Sequence, residues 1–169
     1  LLPKDILEHG GEPIMSRTGH SFIKNKLKET DAELGGEMSG HIFFNDRWYG
    51  FDDAIYTGAR LLEIISKTDK TCAEIFSELP SSVSTPEINI HFDEQGQQYD
   101  AMEVLSNSVD FPGAEINTID GVRVDYENCW GLVRASNTTP CLVLRFEGSD
   151  EEALNSIKSQ FKDWLETNN

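Results

Sequence analysis

The sequence predicts an α/β segment over residues 1–80, a mixed sheet with helices, followed by an α+β domain over residues 81–169. Three observations carry that division. In the first part, short apolar stretches alternate with helical ones, and a glycine-bearing polar loop directly follows one of them, the α/β arrangement in which ligands sit outside strand ends. At Pro80-Ser81-Ser82-Val83-Ser84-Thr85-Pro86 the chain runs through a charge-free linker bounded by prolines. Beyond it, residue-by-residue alternation and hairpin signals set the pattern.

Taken in order, Pro3 to His9 reads as a helix with Ile6 and Leu7 on its apolar face, stopped by Gly10-Gly11. Pro13 to Ser16 reads as a short strand. Arg17-Thr18-Gly19-His20 opens a helix through Glu29 with Phe22, Ile23 and Leu27 facing inward. Ala32 to Gly35 is a second short strand, and Gly36-Glu37-Met38-Ser39-Gly40-His41 follows it as a loop. Asp52 to Lys67 carries Ile55, Ala59, Leu62 and Ile65 at helical spacing. Thr71 with Glu74 three residues on forms a capping box for a helix with Ile75, Phe76 and Leu79 on its apolar side. In the linker, the small residues Ser81, Ser82 and Ser84 are expected to absorb changes of dihedral angle.

In the second part, Ile88, Ile90 and Phe92 alternate with Asn89 and His91 as in a half-buried strand. A helix from about Gln97 to Val109 carries Tyr99, Met102 and Leu105. Glu115 to Ile119 and Val122 to Tyr126 flank Asp120-Gly121, a hairpin turn signal. Trp130 to Arg134 and Leu142 to Phe146 flank a second, polar loop. Ser149 with Glu152 is expected to cap a last helix whose inward face is Leu154, Ile157, Phe161 and Trp164.

The formal charge of −16 excludes nucleic acid and an anionic membrane surface as partners. A phosphorylated small molecule stays open, because a few donors in a cleft act locally while a distant acidic surface is screened over about 8 Å. Cys72, Cys129 and Cys141 show no CxxC spacing, so neither a zinc site nor a disulfide framework is indicated. Reduced thiols, with no apolar run of membrane-spanning length and no visible signal peptide, point to a cytoplasmic protein. The chain starts Leu1-Leu2-Pro3, without Met, and reads as a piece of a longer protein.

Two loops hold the residue types that carry chemistry. Arg134-Ala135-Ser136-Asn137-Thr138-Thr139-Pro140 combines one permanent cation, hydroxyls, an amide and no acid. Arginine offers a planar fork that matches phosphate oxygens, and turn N–H groups can cradle an anion. On residue types alone, a plain hairpin turn fits equally well. In the Gly36–His41 loop, Glu37 accepts, Ser39 donates and accepts, and His41 does either by tautomer, beside glycines that allow close approach. Such a set suits the hydroxyls of a hexose, although a solvated loop is the more ordinary reading of those types. His20 opens a helix, where a lone histidine is more often structural. Asp46, Arg47, Asp52 and Asp53 read as loop and helix-cap chemistry, without a metal-liganding pattern.

Two motifs resemble the α-D-phosphohexomutases, specifically the bacterial phosphomannomutase/phosphoglucomutase group. RASNTTP after DGVRVDY (Asp120 to Tyr126) resembles that family's C-terminal phosphate-binding loop, and GEMSGHIFF (Gly36 to Phe44) its sugar-binding loop, in the family's order. The resemblance runs over nearly the whole chain. It implies that Glu37 and Ser39 contact the sugar 3- and 4-hydroxyls, with Met38, Gly40 and His41 in the same site. It implies that Arg134, Ala135, Ser136, Asn137, Thr138 and Thr139 hold the non-reacting phosphate. It places His20, in a Thr-Gly-His run, in the active site as an assistant in proton transfer or phosphate binding. Met38 fits the mannose/glucose subgroup better than the glucosamine one. The substrate class implied is a mannose or glucose 1- or 6-phosphate, interconverted through a bisphosphorylated hexose.

The departures matter as much. The family's phosphoserine, its DGDGDR-type loop that holds Mg²⁺ and its third-domain active-site lysine are not found in this sequence. The resemblance therefore implies an N-terminally incomplete domain 3 over residues 1–80 and a complete domain 4 over 81–169, inactive alone. Mg²⁺ and the missing N-terminal domains would belong to the intact enzyme. A free-standing sugar-phosphate-binding module without catalysis is the alternative, and a purely structural interaction domain a further one.

Overall fold

Two separate sets of buried side chains organise this computed structural model, which describes residues 2–168. They divide the chain into the units Leu1–Pro80 and Ser81–Asn169.

The first unit runs α1 (Leu2–Glu8), α2 (His20–Thr30), β1 (Leu34–Gly36), β2 (Ile42–Phe44), α3 (Ala54–Ser66) and α4 (Cys72–Ser77). β1 and β2 form an antiparallel pair, with Leu34 opposite Phe44 and Gly36 opposite Ile42. The buried centre is Ile23 and Leu27, one helical turn apart on α2, with Phe43 and the partly buried Ala32 against them. Gly35 lets the strand lie directly on that helix: a Cβ there would stand 2.8 Å from Ile23 Cγ2. Phe22, expected inward, is 41% exposed. α3 is capped by Asp53, whose carboxylate accepts the Tyr56 N–H at 2.9 Å, and α4 by the Thr71/Glu74 capping box.

One expected strand is missing here. Pro13–Ser16 forms no strand, and Ile14 and Met15 are about half exposed. An extended segment becomes a strand only when a neighbour accepts its hydrogen bonds, and none among the described residues does. The α3 periodicity is real, yet Ile55 is 88% and Leu62 66% exposed, so spacing alone does not bury a helix face.

The second unit runs β3 (Val83–Ser84), β4 (Ile88–His91), α5 (Gln97–Asn107), β5 (Glu115–Asn117), β6 (Val122–Asp125), β7 (Cys129–Ala135), β8 (Cys141–Gly148) and α6 (Glu151–Thr167). The six strands form one antiparallel sheet in the order β3-β8-β7-β6-β5, with β4 also paired to β8. Part of the expected linker is thus sheet: Val83 and Ser84 pair with Gly148 and Glu147, and Thr85 exchanges bonds with Phe146. The dihedral freedom read into Ser84 is spent on that pairing.

Val122, Val124, Val133, Leu142, Leu144 and Phe146 line one sheet face and pack against Met102 and Leu105 of α5 and Leu154, Ile157, Phe161 and Trp164 of α6. The phenyl ring of Phe161 sits 5.0 Å from Phe111 and 5.1 Å from Phe146, centroid to centroid. It rests on Gly131, where a Cβ would lie 2.5 Å from the ring. The α6 cap is Asp150, accepting from the Ala153 N–H at 2.9 Å, rather than Ser149. The Ser149 N–H is held by the Asn128 carbonyl, which keeps that residue in the preceding turn. Among the described residues no helix is long and apolar enough to cross a membrane.

Candidate functional site

In the first unit, the β1–β2 loop folds back on the start of α2. The Glu37 N–H donates to the His41 carbonyl at 2.9 Å, and the Gly40 N–H to the Glu37 carbonyl at 3.0 Å. Gly40 supplies the positive φ of +93° that this tight turn needs. The Glu37 carboxylate then accepts the Gly19 N–H on Oε1 and the Ser39 hydroxyl on Oε2, each at 3.0 Å. The two motifs, eighteen residues apart, thereby meet, and His20 adjoins the bonded glycine. Met38 is 67% exposed at the loop tip. Each carboxylate oxygen of Glu37 retains lone-pair capacity for a ligand hydroxyl.

His41 is held differently. Its Nδ1 lies 2.7 Å from Asp52 Oδ2, and Asp52 reaches it through a backbone bridge to Phe43 in β2. A neutral His41 must carry its proton on Nδ1 to donate to that carboxylate, which leaves Nε2 as a free acceptor. The sequence does not reveal this: Asp52 reads there as loop and cap chemistry, yet only its neighbour Asp53 is a cap. Nothing in the residue order signals the pairing, because the bridge that sets it is a tertiary contact.

Ion pairs and ring stacking hold the segment between β2 and α3. Asp46 pairs with Arg60 at 3.1 Å, and Glu63 with Arg47 at 3.1 Å and Lys67 at 2.8 Å. Those two cations, Arg47 first, bring the Glu63 carboxyl down from the ordinary 4.5 to about 2. Trp48 stacks on Tyr56 at 4.3 Å and donates to Asp53. Arg17 lies over the Phe22 ring at 4.7 Å. The acids of this region are therefore occupied, and among the described residues no group of three His, Cys, Asp or Glu could hold a metal ion. The described residues thus offer no ligand set for Mg²⁺.

In the second unit, the β7–β8 ladder ends at Ala135 opposite Leu142, and residues 136–140 make the turn. The Ser136 N–H donates to the Cys141 carbonyl, and the Cys141 N–H to the Thr139 carbonyl. The buried Ser136 hydroxyl oxygen accepts the N–H groups of Thr138 at 3.3 Å and Thr139 at 3.2 Å, and lies 3.0 Å from the Thr139 hydroxyl. The Arg134 guanidinium makes a single 3.4 Å contact, to the Ala135 carbonyl, and no ion pair among the described residues. It keeps most of its five donors for a ligand. Asn137 forms no hydrogen bond among the described residues and sits at the turn's exposed tip.

The Asp120-Gly121 turn is pressed against the same place. A Cβ on Gly121 would fall 2.1 Å from the Val133 carbonyl and 2.7 Å from Arg134 Cα, at φ +76°. Only glycine lets this turn back the strand that presents Arg134. Arg123, by contrast, is committed: it grips Asp125 through two bonds of 2.7 and 2.6 Å and lies 4.0 Å above the Trp130 ring.

Known proteins resemble both units. The family described as "Phosphoglucomutase/phosphomannomutase, alpha/beta/alpha domain III" matches residues 1–83, and its "C-terminal domain" matches residues 87–163. A phosphomannomutase/phosphoglucomutase of Pseudomonas putida is 54% identical over 160 residues, covering 95% of this chain and 34% of the relative. A phosphoglucomutase of Neisseria meningitidis serogroup A is 53% identical over 169 residues, covering 99% and 36%. The crystal structure of a phosphoglucomutase/phosphomannomutase family protein from Burkholderia thailandensis superposes with a TM-score of 0.90 at 48% identity, covering 98% of this chain and 35% of that one. The chain thus spans about a third of the length of the curated relatives it matches. With two family domains matched in order across nearly every residue, and both loops standing inside them, this chain belongs to the phosphoglucomutase/phosphomannomutase family.

Proposed function

We propose that the chain is the substrate-recognition part of a phosphohexomutase that interconverts hexose 1- and 6-phosphates through a bisphosphorylated hexose. The first unit reads sugar hydroxyls with Glu37 and Ser39, and the second holds a phosphate with Arg134, Ser136, Asn137, Thr138 and Thr139. The observation that carries this reading is the turn at 136–139. The buried Ser136 hydroxyl fixes its backbone, while the Arg134 guanidinium and the Asn137 amide remain largely unspent. A donor set already ordered for an anion binds it at lower entropic cost. Holding the phosphate that does not react positions the other end of the sugar by binding energy remote from the chemistry.

His41 is the proton-handling group of this reading. Asp52 fixes its ring, and Nε2 can take or return the proton of a sugar hydroxyl as phosphate arrives or leaves. His20 assists from the start of α2. Mg²⁺, a phosphorylated serine and the further domains of a cytoplasmic enzyme complete the reading. They would supply charge neutralisation and the transferred phosphoryl group, so the chain by itself binds ligand without turnover.

The test is titration of ¹⁵N-labelled chain with glucose 6-phosphate, mannose 6-phosphate and free glucose. Saturable shifts at Arg134, Asn137 and Thr138 with both phosphosugars and none with glucose are expected. Equal response to free glucose, or shifts confined to other residues, would remove the phosphate clamp.

A further inference from the structure

One buried polar side chain in the second unit has no place in the chemistry so far. Gln98, the second residue of α5, has 0% relative exposure. Its Oε1 accepts the Gly96 N–H at 2.9 Å. Its Nε2 faces the carbonyls of Ser136 at 3.4 Å and Thr139 at 3.5 Å, residues 38 and 41 positions away. The orientation of the amide is determined on both sides. A backbone N–H can only donate, so the atom facing Gly96 must be oxygen; two carbonyls can only accept, so the atom facing them must be nitrogen. With water excluded, these carbonyls are the partners its two amide hydrogens have among the described residues.

We propose that Gln98 is the positioning residue of the phosphate loop. Residues Ser136 and Thr139 bracket the tip Asn137-Thr138, and a β-turn has as many carbonyls as N–H groups. Any carbonyl that swung toward the ligand face would set a negative dipole against a phosphate. Gln98 ties the two bracketing carbonyls inward to one amide, while the Ser136 hydroxyl gathers the N–H groups of Thr138 and Thr139. The carbonyl ends of the turn are thereby anchored to the interior, and its tip is left to Asn137 and the Arg134 fork. Gln98 touches no ligand; it acts through the loop. The proposal rests on the reading of residues 134–139 as a phosphate clamp, and it adds the residue that holds the clamp's shape.

The experiment uses the chain as it stands, with Gln98→Met, which keeps length and removes both bonding atoms. A control, Leu105→Val, weakens the same helix without touching the loop. Backbone ¹⁵N relaxation at Asn137, Thr138 and Thr139 reads loop order without any ligand, and titration with glucose 6-phosphate reads affinity. Gln98→Met is expected to make the turn mobile and to weaken the phosphosugar about tenfold, while Leu105→Val changes neither. An ordered turn in Gln98→Met, or equal damage from Leu105→Val, overturns the proposal. Should Gln98→Met not fold, Gln98→Asn, one methylene too short to reach the loop, takes its place with the same expectations. If the unaltered chain gives no shifts at residues 134–139, the clamp reading fails, and the relaxation data still decide whether Gln98 orders the turn.

Discussion

The two units are of similar length and are held together by different forces. Among the described residues, the second buries a cluster of fifteen apolar side chains between a six-stranded sheet and two helices. The first buries three, and leaves Ile55, Leu61, Leu62 and Ile64 of α3 between 44% and 88% exposed. In the second unit the candidate phosphate loop is the end of a hairpin rooted in a packed core. In the first, the residues of the β1–β2 loop are placed by hydrogen bonds from Gly19 to Glu37 and from His41 to Asp52, beside an ion-pair lattice around Glu63. Core packing resists changes of salt and pH, whereas partly exposed ion pairs respond to both. The chemistry of the first unit should therefore be the more easily disturbed.

The largest expected effect lies in the packed unit. Phe161→Ala removes a fully buried ring and should cost about 3–5 kcal/mol. Native-state hydrogen exchange checks this: β7 and β8 amides, slow in the unaltered chain, should lose most of their protection. In the unaltered chain those amides should also exchange far more slowly than those of β1 and β2. Equal protection of the two pairs would erase the contrast.

Next comes Arg134→Ala, which removes a charge-assisted fork and should weaken phosphosugar binding by about 2–3 kcal/mol. Calorimetric titration of the chain reads the loss. Arg134→Lys should recover part of it, since lysine keeps the charge without the planar geometry. Because Arg134 makes no ion pair among the described residues, its melting temperature should barely move. A large drop would mean that the residue serves the core.

A smaller change is expected from Asp52→Asn. The amide can present either a donor or an acceptor to His41, so the single tautomer imposed by the carboxylate should become a mixture. Imidazole ¹⁵N shifts of His41 report this directly. An unchanged Nδ1–H tautomer in Asp52→Asn would show that something other than Asp52 orients the ring.

The smallest effect is on the pH response of the first unit. The Glu63 carboxyl lies at about 2 in the fold against the ordinary 4.5, because Arg47 and Lys67 favour its charged form. Its contribution is therefore complete above pH 4.5 and drains away as the pH falls from 4.5 toward 2. Acid titration followed at the Trp48 indole should show a loss in that window, and Glu63→Gln should flatten it. The same loss in Glu63→Gln would assign it to another carboxylate.

What the residue order determined by itself is whatever depends on neighbours in the chain. The Asp120-Gly121 turn, the Thr71/Glu74 capping box, the inward stripe of α6 and the hairpin that carries Arg134 to Thr139 all rest on contacts within a few residues, where dihedral preference and spacing suffice. Both loops stand out because their polar residues are contiguous, and the family resemblance is what makes them candidate sites. The tertiary structure decided the rest. It left Pro13–Ser16 without a ladder partner, drew Val83 and Ser84 into the sheet, kept the α3 stripe exposed, and brought Asp52 to His41 and Gln98 to Ser136 and Thr139. Strand registers and helix placements set those meetings across eleven to sixty-five residues. A side chain's partner at that range is chosen by how whole elements pack, which no local pattern of residues encodes.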